Sequence, residues 1–174
     1  MRLILIALAG GLAVAGGFVL TSAGRAPEGA SGAPSWPDFH GPGRSNISPE
    51  KGLLKEWPEG GPPLAWKYTG LGKGYSGVNV AEGLIFTAGD FDDTEMVIAL
   101  SLDGKLLWKS PNGEAWHRPS GGARTTPTYA AGAVFQMSPH GRIAAFDAQR
   151  GKEIWAVELK ERFQAEHGIW GFAE

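Results

Sequence analysis

The chain has 174 residues and a formal charge of −2, from 16 Lys and Arg against 18 Asp and Glu, so it carries no basic field that could hold a nucleic acid. It contains no cysteine, which excludes disulfides, thiolate metal sites and cysteine nucleophiles. With 27 Gly and 12 Pro it favours short strands and turns over long helices.

The first stretch stands outside any fold. Leu3 to Leu20 is uncharged and is followed by Thr21-Ser22-Ala23, so residues 1–23 read as an export signal or, uncleaved, as a membrane anchor through residues 3–20. A lipid anchor is excluded, since the cysteine it needs is missing. Residues 24–35 are rich in Gly, Ala, Pro and Ser, the composition of a flexible linker. The folded part is expected over 36–174.

Two stretches then repeat one pattern. Gly83 matches Gly132, Ala99 matches Ala145, Gly104 matches Gly151, and Trp108 matches Trp155, at offsets of 46 to 49 residues. A period of ~40–50 residues is that of propeller blades. The first copy, over 75–109, divides into strands at 76–80, 84–88, 96–101 and 105–109. The second, over 124–157, divides at 125–129, 133–138, 142–147 and 152–157. Glu82-Gly83 and Ala131-Gly132 supply the tight first turns, where Gly accepts positive φ. No segment past residue 35 keeps a helical period for three turns.

The repeated indole has an expected role on the outermost strand. It buries ~200 Å² of mostly apolar surface against the turn before it and the neighbouring blade. Gly104 and Gly151, four residues earlier, are expected to make room for Trp108 and Trp155. Trp66, in 64–69, reads as one more outermost strand without its own inner three, and 169–174 as the start of a further blade. Two full blades are fewer than the ~4–8 that close a ring. The expected fold class is therefore all-β: four-stranded antiparallel propeller blades in an incomplete ring, preceded by a hydrophobic N-terminal segment, in a chain truncated from a longer one.

Ala145, Asp147, Gly151, Lys152 and Trp155 spell A-x-D-x-x-x-G-K-x-x-W. This resembles the blade repeat of the PQQ-like (pyrroloquinoline quinone-type) β-propellers. The first copy keeps Ala99, Gly104, Lys105 and Trp108, is one residue shorter in the turn, and has Ser101 in place of Asp. The opening WPDFHGPGR resembles the W-x-x-F-R-G-P-x-R lead-in of exported bacterial proteins of this group, with His40 in place of Arg.

The resemblance implies two functions. One is an exported, non-catalytic binding or scaffolding module of the periplasm or cell envelope, with envelope proteins or an unidentified ligand as partner and no cofactor expected. The other is part of a quinoprotein dehydrogenase, with PQQ and Ca²⁺ in the ring channel. Many such enzymes also carry an adjacent cysteine pair, which this chain lacks.

Neither catalytic nor metal residues emerge from the residues themselves, and cofactor-binding residues stay unknown. Asp90, Asp92, Asp93 and Glu95 could bind Ca²⁺ as alternating carboxylates, but without calcium-loop spacing they read as a solvated loop between the second and third strands. His40, His117, His140 and His167 lack ligand spacing, and the Pro-His-Gly context of His140 predicts exposure. Ser120-Gly121-Gly122 is no nucleophile elbow. Gly70 to Gly77 has the glycines of a phosphate loop but no following helix, and reads as a strained approach to the ring axis. Tyr75, Arg124 and Trp170 precede or begin inner strands, where side chains can reach a central channel; they are the candidates for ligand contact.

Overall fold

Alternating apolar residues between glycine-bearing turns fold as antiparallel sheets, and the computed structural model, which describes residues 34–173, contains two of them. The first sheet runs in chain order through β1 (Asn79–Ala81), β2 (Leu84–Phe91), β3 (Thr94–Ser101) and β4 (Leu106–Glu114). The second follows with β5 (Thr128–Ala130), β6 (Ala133–Met137), β7 (Arg142–Asp147) and β8 (Glu153–Glu158). All pairings are antiparallel between sequence neighbours, the meander of a propeller blade. A single helical turn, α1 (Leu159–Phe163), follows β8.

Local chemistry sets these sheets in two places. The β1–β2 loop has positive φ at both Glu82 (50°) and Gly83 (75°), as does the β5–β6 loop at Ala131 (48°) and Gly132 (81°). Two consecutive left-handed residues make a turn whose twist matches the strands it joins. At the other end, Trp108 stands opposite Ala99 and Trp155 opposite Ala145, and each sheet then breaks register by one residue. The alanine of the repeat is thus the small cross-strand partner of the indole.

The core lies between the two sheets. Phe86, Val97 and Ala99 of the first pack against Val134, Ala144 and Phe146 of the second, joined by Trp108 and Tyr129. The Phe86 and Tyr129 rings stack at 6.2 Å between centroids, 7° from parallel. A smaller cluster of Ile85, Ile98 and Leu100 occupies the other face of the first sheet, under Tyr68 and Leu71.

The indole and glycine do meet, but across repeats. Trp108 Nε1 donates to Ala148 O at 3.0 Å, and a Cβ on Gly151 would stand 2.5 Å from the Trp108 ring. Likewise Trp66 Nε1 donates to Leu102 O at 3.0 Å, and a Cβ on Gly104 would stand 2.7 Å from the Trp66 ring. Each glycine therefore makes room for the indole of the preceding repeat, not for the one four residues after it. The reason is reach: the ring of Trp66, ahead of the first sheet, and that of Trp108, on β4, each meet the turn before the last strand of the sheet that follows.

Other expectations are corrected. Residues 64–69 carry no strand, although Tyr68 packs on the first sheet and Trp66 on its Leu102–Gly104 turn. Residues 169–173 form no strand either; a bridge joins Gly168 to Gly171, and Phe172 N donates to Pro139 O at 2.9 Å. Strands β2 and β3 run longer than read, so Asp90 and Glu95 pair directly across them and are buried, leaving only Asp92 and Asp93 at an exposed tip. The predicted signal or anchor at 1–23, and the linker up to residue 33, lie outside the described residues. Among the described residues no helix is long and apolar enough to cross a membrane.

Candidate functional site

The three candidates for ligand contact come together. The Arg124 guanidinium lies 5.1 Å from the Tyr75 ring centroid and 5.8 Å from that of Trp170. A cation flanked by two π faces is attracted by both. Tyr75 is 63% and Trp170 51% exposed, so the cluster faces solvent.

Backbone geometry explains the gathering. Lys73 and Asp90 exchange backbone hydrogen bonds at 2.8 and 2.9 Å, while Tyr75 N donates to Ala123 O at 2.8 Å. Gly74 and Ala123 form a parallel bridge, and a Cβ on Gly122 would stand 2.5 Å from Gly74 Cα. The glycine-rich stretch therefore serves close backbone approach, which sets Tyr75 beside Arg124. Arg124 Nη2 donates to the carbonyls of Pro119 (3.2 Å) and Ser120, while its buried Nε has no partner. Trp170 is held from the far side, because Gly171 packs on Pro139 with no room for a side chain.

A second polar group lies between the sheets, where sequence reading placed a solvated loop. Glu95 Oε1 accepts from Asn112 Nδ2 at 2.9 Å and, across the sheet boundary, from Gln136 Nε2 at 3.3 Å. All three side chains are buried. Burial, with the Asp90 carboxylate opposite, pushes Glu95 up to about 8 against the opposing pull of the two amides. Asp90 is also raised by burial, although Trp116 N donates to its Oδ2 at 2.8 Å and His117, His140 and Lys73 favour its charged form. No periodicity could flag this group, because burying a carboxylate between two sheets depends on where the second sheet docks.

The histidines divide. His140, predicted exposed, is half-buried against the Trp116 ring at 5.1 Å, and its Nε2 lies 3.2 Å from Ala115 O. The correction follows from Trp116, which the β4 extension carries under the His140 turn. His167 meets the same indole edge-on at 5.3 Å. His117 pairs with Asp93 at 3.2 Å, and His40 with Asn46 at 2.9 Å. Among the described residues no three His, Cys, Asp or Glu side chains are gathered as a metal ion would need.

Residues 93–167 match a family model of PQQ-type repeats described as outer membrane protein assembly factor BamB. Comparison with curated proteins finds no match. Among solved structures, a europium-containing methanol dehydrogenase is similar at 23% identity over 55% of this chain and 18% of that one, TM-score 0.44. BamB from Moraxella catarrhalis is similar at 17% identity over 47% of this chain and 22% of that one, TM-score 0.37. The quinohemoprotein alcohol dehydrogenase ADHIIG from Pseudomonas putida HK5 is similar at 24% identity over 55% and 15%, TM-score 0.40. The chain thus spans about a fifth or less of the length of these proteins.

Proposed function

From the premise that this chain is a PQQ-type β-propeller repeat protein, we propose that it is an exported binding or scaffolding module of the cell envelope, with Tyr75, Arg124 and Trp170 as its contact surface. The observation that carries the reading is the solvent-facing cluster itself, two exposed aromatic rings about one guanidinium. Aromatic and arginine side chains are the residues that dominate protein recognition surfaces. The family match over 93–167, described as an assembly factor for outer membrane proteins, supports the envelope as the place. On this reading the fold supplies rigidity and the cluster supplies contact, with no cofactor required.

The test uses the full chain carrying a photo-reactive phenylalanine analogue at Tyr75, irradiated in the envelope of the expressing bacterium. A discrete cross-linked polypeptide is expected, with a yield falling about tenfold on Arg124→Ala or Trp170→Ala, the loss of about 1.4 kcal/mol of contact. Cross-linking indifferent to both substitutions overturns the assignment of the surface. Uptake of one equivalent of PQQ with Ca²⁺, giving a quinone absorbance and alcohol oxidation, overturns the non-catalytic reading.

A further inference from the structure

The lead-in from Trp36 to Asn46 belongs to neither sheet, yet it makes the backbone contacts of an added strand. A first strand in a meander has one edge unpaired, and unpaired edges are templates for other chains. Trp36 N donates to Val80 O at 2.6 Å and Val80 N donates to Trp36 O at 2.9 Å, the two-bond pair of an antiparallel ladder. Pro37 has no N–H, so the ladder on β1 stops there. Its carbonyl turns to the second sheet instead, accepting from Tyr129 N of β5 at 2.8 Å and from Asn79 Nδ2 at 3.2 Å. Two consecutive residues thus occupy the free edges of both first strands.

The rest of the segment holds that pose. Asp38 Oδ1 accepts from His40 N at 2.8 Å, Gly41 N donates to Asp38 O at 3.1 Å, and Asn46 N donates to His40 O at 2.9 Å. The turn folds Gly41, at φ 72°, beneath the Trp36 indole, where a Cβ would stand 2.6 Å from the ring. The lead-in motif noted in the sequence therefore has a physical content: the indole needs the glycine, and the proline ends one pairing and begins another.

We propose that the free edges of β1 and β5 form an acceptor for an extended Trp-Pro segment, occupied in this chain by its own Trp36–Gly41. The lead-in is therefore a built-in stopper along the edges of β1 and β5. A polypeptide entering by strand addition must displace it. This surface is separate from the Tyr75–Arg124–Trp170 cluster, and either assignment can fail without the other.

Hydrogen exchange of the full chain, resolved to single amides, tests it. Gly41→Ala drives the indole off its seat. The Val80 and Tyr129 amides are then expected to exchange about tenfold faster, with Ile98 and Phe146 in the core unchanged. An excess of synthetic peptide of residues 34–46 restores slow exchange, whereas the same peptide with Trp36→Ala does not. Should Gly41→Ala also loosen Ile98 and Phe146, Trp36→Ala in the full chain gives the same selective release. Unchanged Val80 and Tyr129 exchange in both variants overturns the stopper. Release without rescue by the wild-type peptide overturns the acceptor.

Discussion

The two sheets are written in one pattern, yet their downstream faces differ. In the first, Phe86 is fully buried and lies 6.1 Å from the Trp108 ring, both covered by the second sheet. In the second, Phe135 lies 5.9 Å from Trp155 in the same relation, but Trp155 is 44% exposed and Phe135 only half-buried. The aromatic pair belongs to the repeat; its burial belongs to the neighbour. A blade is thus a unit with one half of each interface, and it gains stability only where the other half is docked.

The strongest way to break this comparison is to remove each indole in turn. Trp108→Ala empties a seat between the sheets and is expected to cost ~3–5 kcal/mol, against ~1 kcal/mol or less for Trp155→Ala. Urea unfolding of both variants checks it. Equal losses would mean that the ring acts within its own sheet.

The glycines give a second, smaller contrast. Gly151→Ala forces a left-handed φ of 67° on alanine and drives its Cβ onto the Trp108 ring, so ~2–4 kcal/mol is expected. Gly132→Ala meets the same backbone problem at φ 81° with open space around it, so only ~1–2 kcal/mol is expected. The difference between these midpoints isolates the inter-sheet contact from backbone strain.

The remaining contrast sharpens the boundary itself and is read from pH rather than from truncation. Glu95 sits on the first sheet and accepts from Gln136 on the second. Its folded value is raised from 4.5 to about 8, so in that interval the folded chain holds a proton that the unfolded chain has released. Its contribution is therefore fully present below pH 4.5 and is lost as pH rises through about 8. Melting temperature is expected to decline over this window in the wild type. Glu95→Gln, which cannot ionise, should flatten that decline; parallel profiles would remove Glu95 from the interface.

Strand order, hairpin turns and the repeat register were legible before any coordinates, because each follows from alternation and from glycine at positive φ, which are local. The indole–glycine pairing was legible as a set of residues but not as partners. Spacing assigns Gly104 to Trp108, four residues on, whereas the docked sheets give Trp108 to Gly151 and Gly104 to Trp66. Tyr75, Arg124 and Trp170 were legible one at a time; that they share one patch follows from the Gly74–Ala123 bridge and the Gly171–Pro139 contact.

Sequence alone settled that this chain would fold as successive four-stranded meanders, since periodicity and turn chemistry act over a few residues and need no distant partner. Only the tertiary structure decided that Asp90 and Glu95 would leave solvent and that Trp36-Pro37 would lie across two strand edges. It also decided which glycine would receive which ring. Those outcomes depend on desolvation and backbone pairing between segments far apart in the chain, as Tyr129 N to Pro37 O and Gln136 to Glu95 illustrate. Local patterns carry no information about the surface that arrives from elsewhere in the chain.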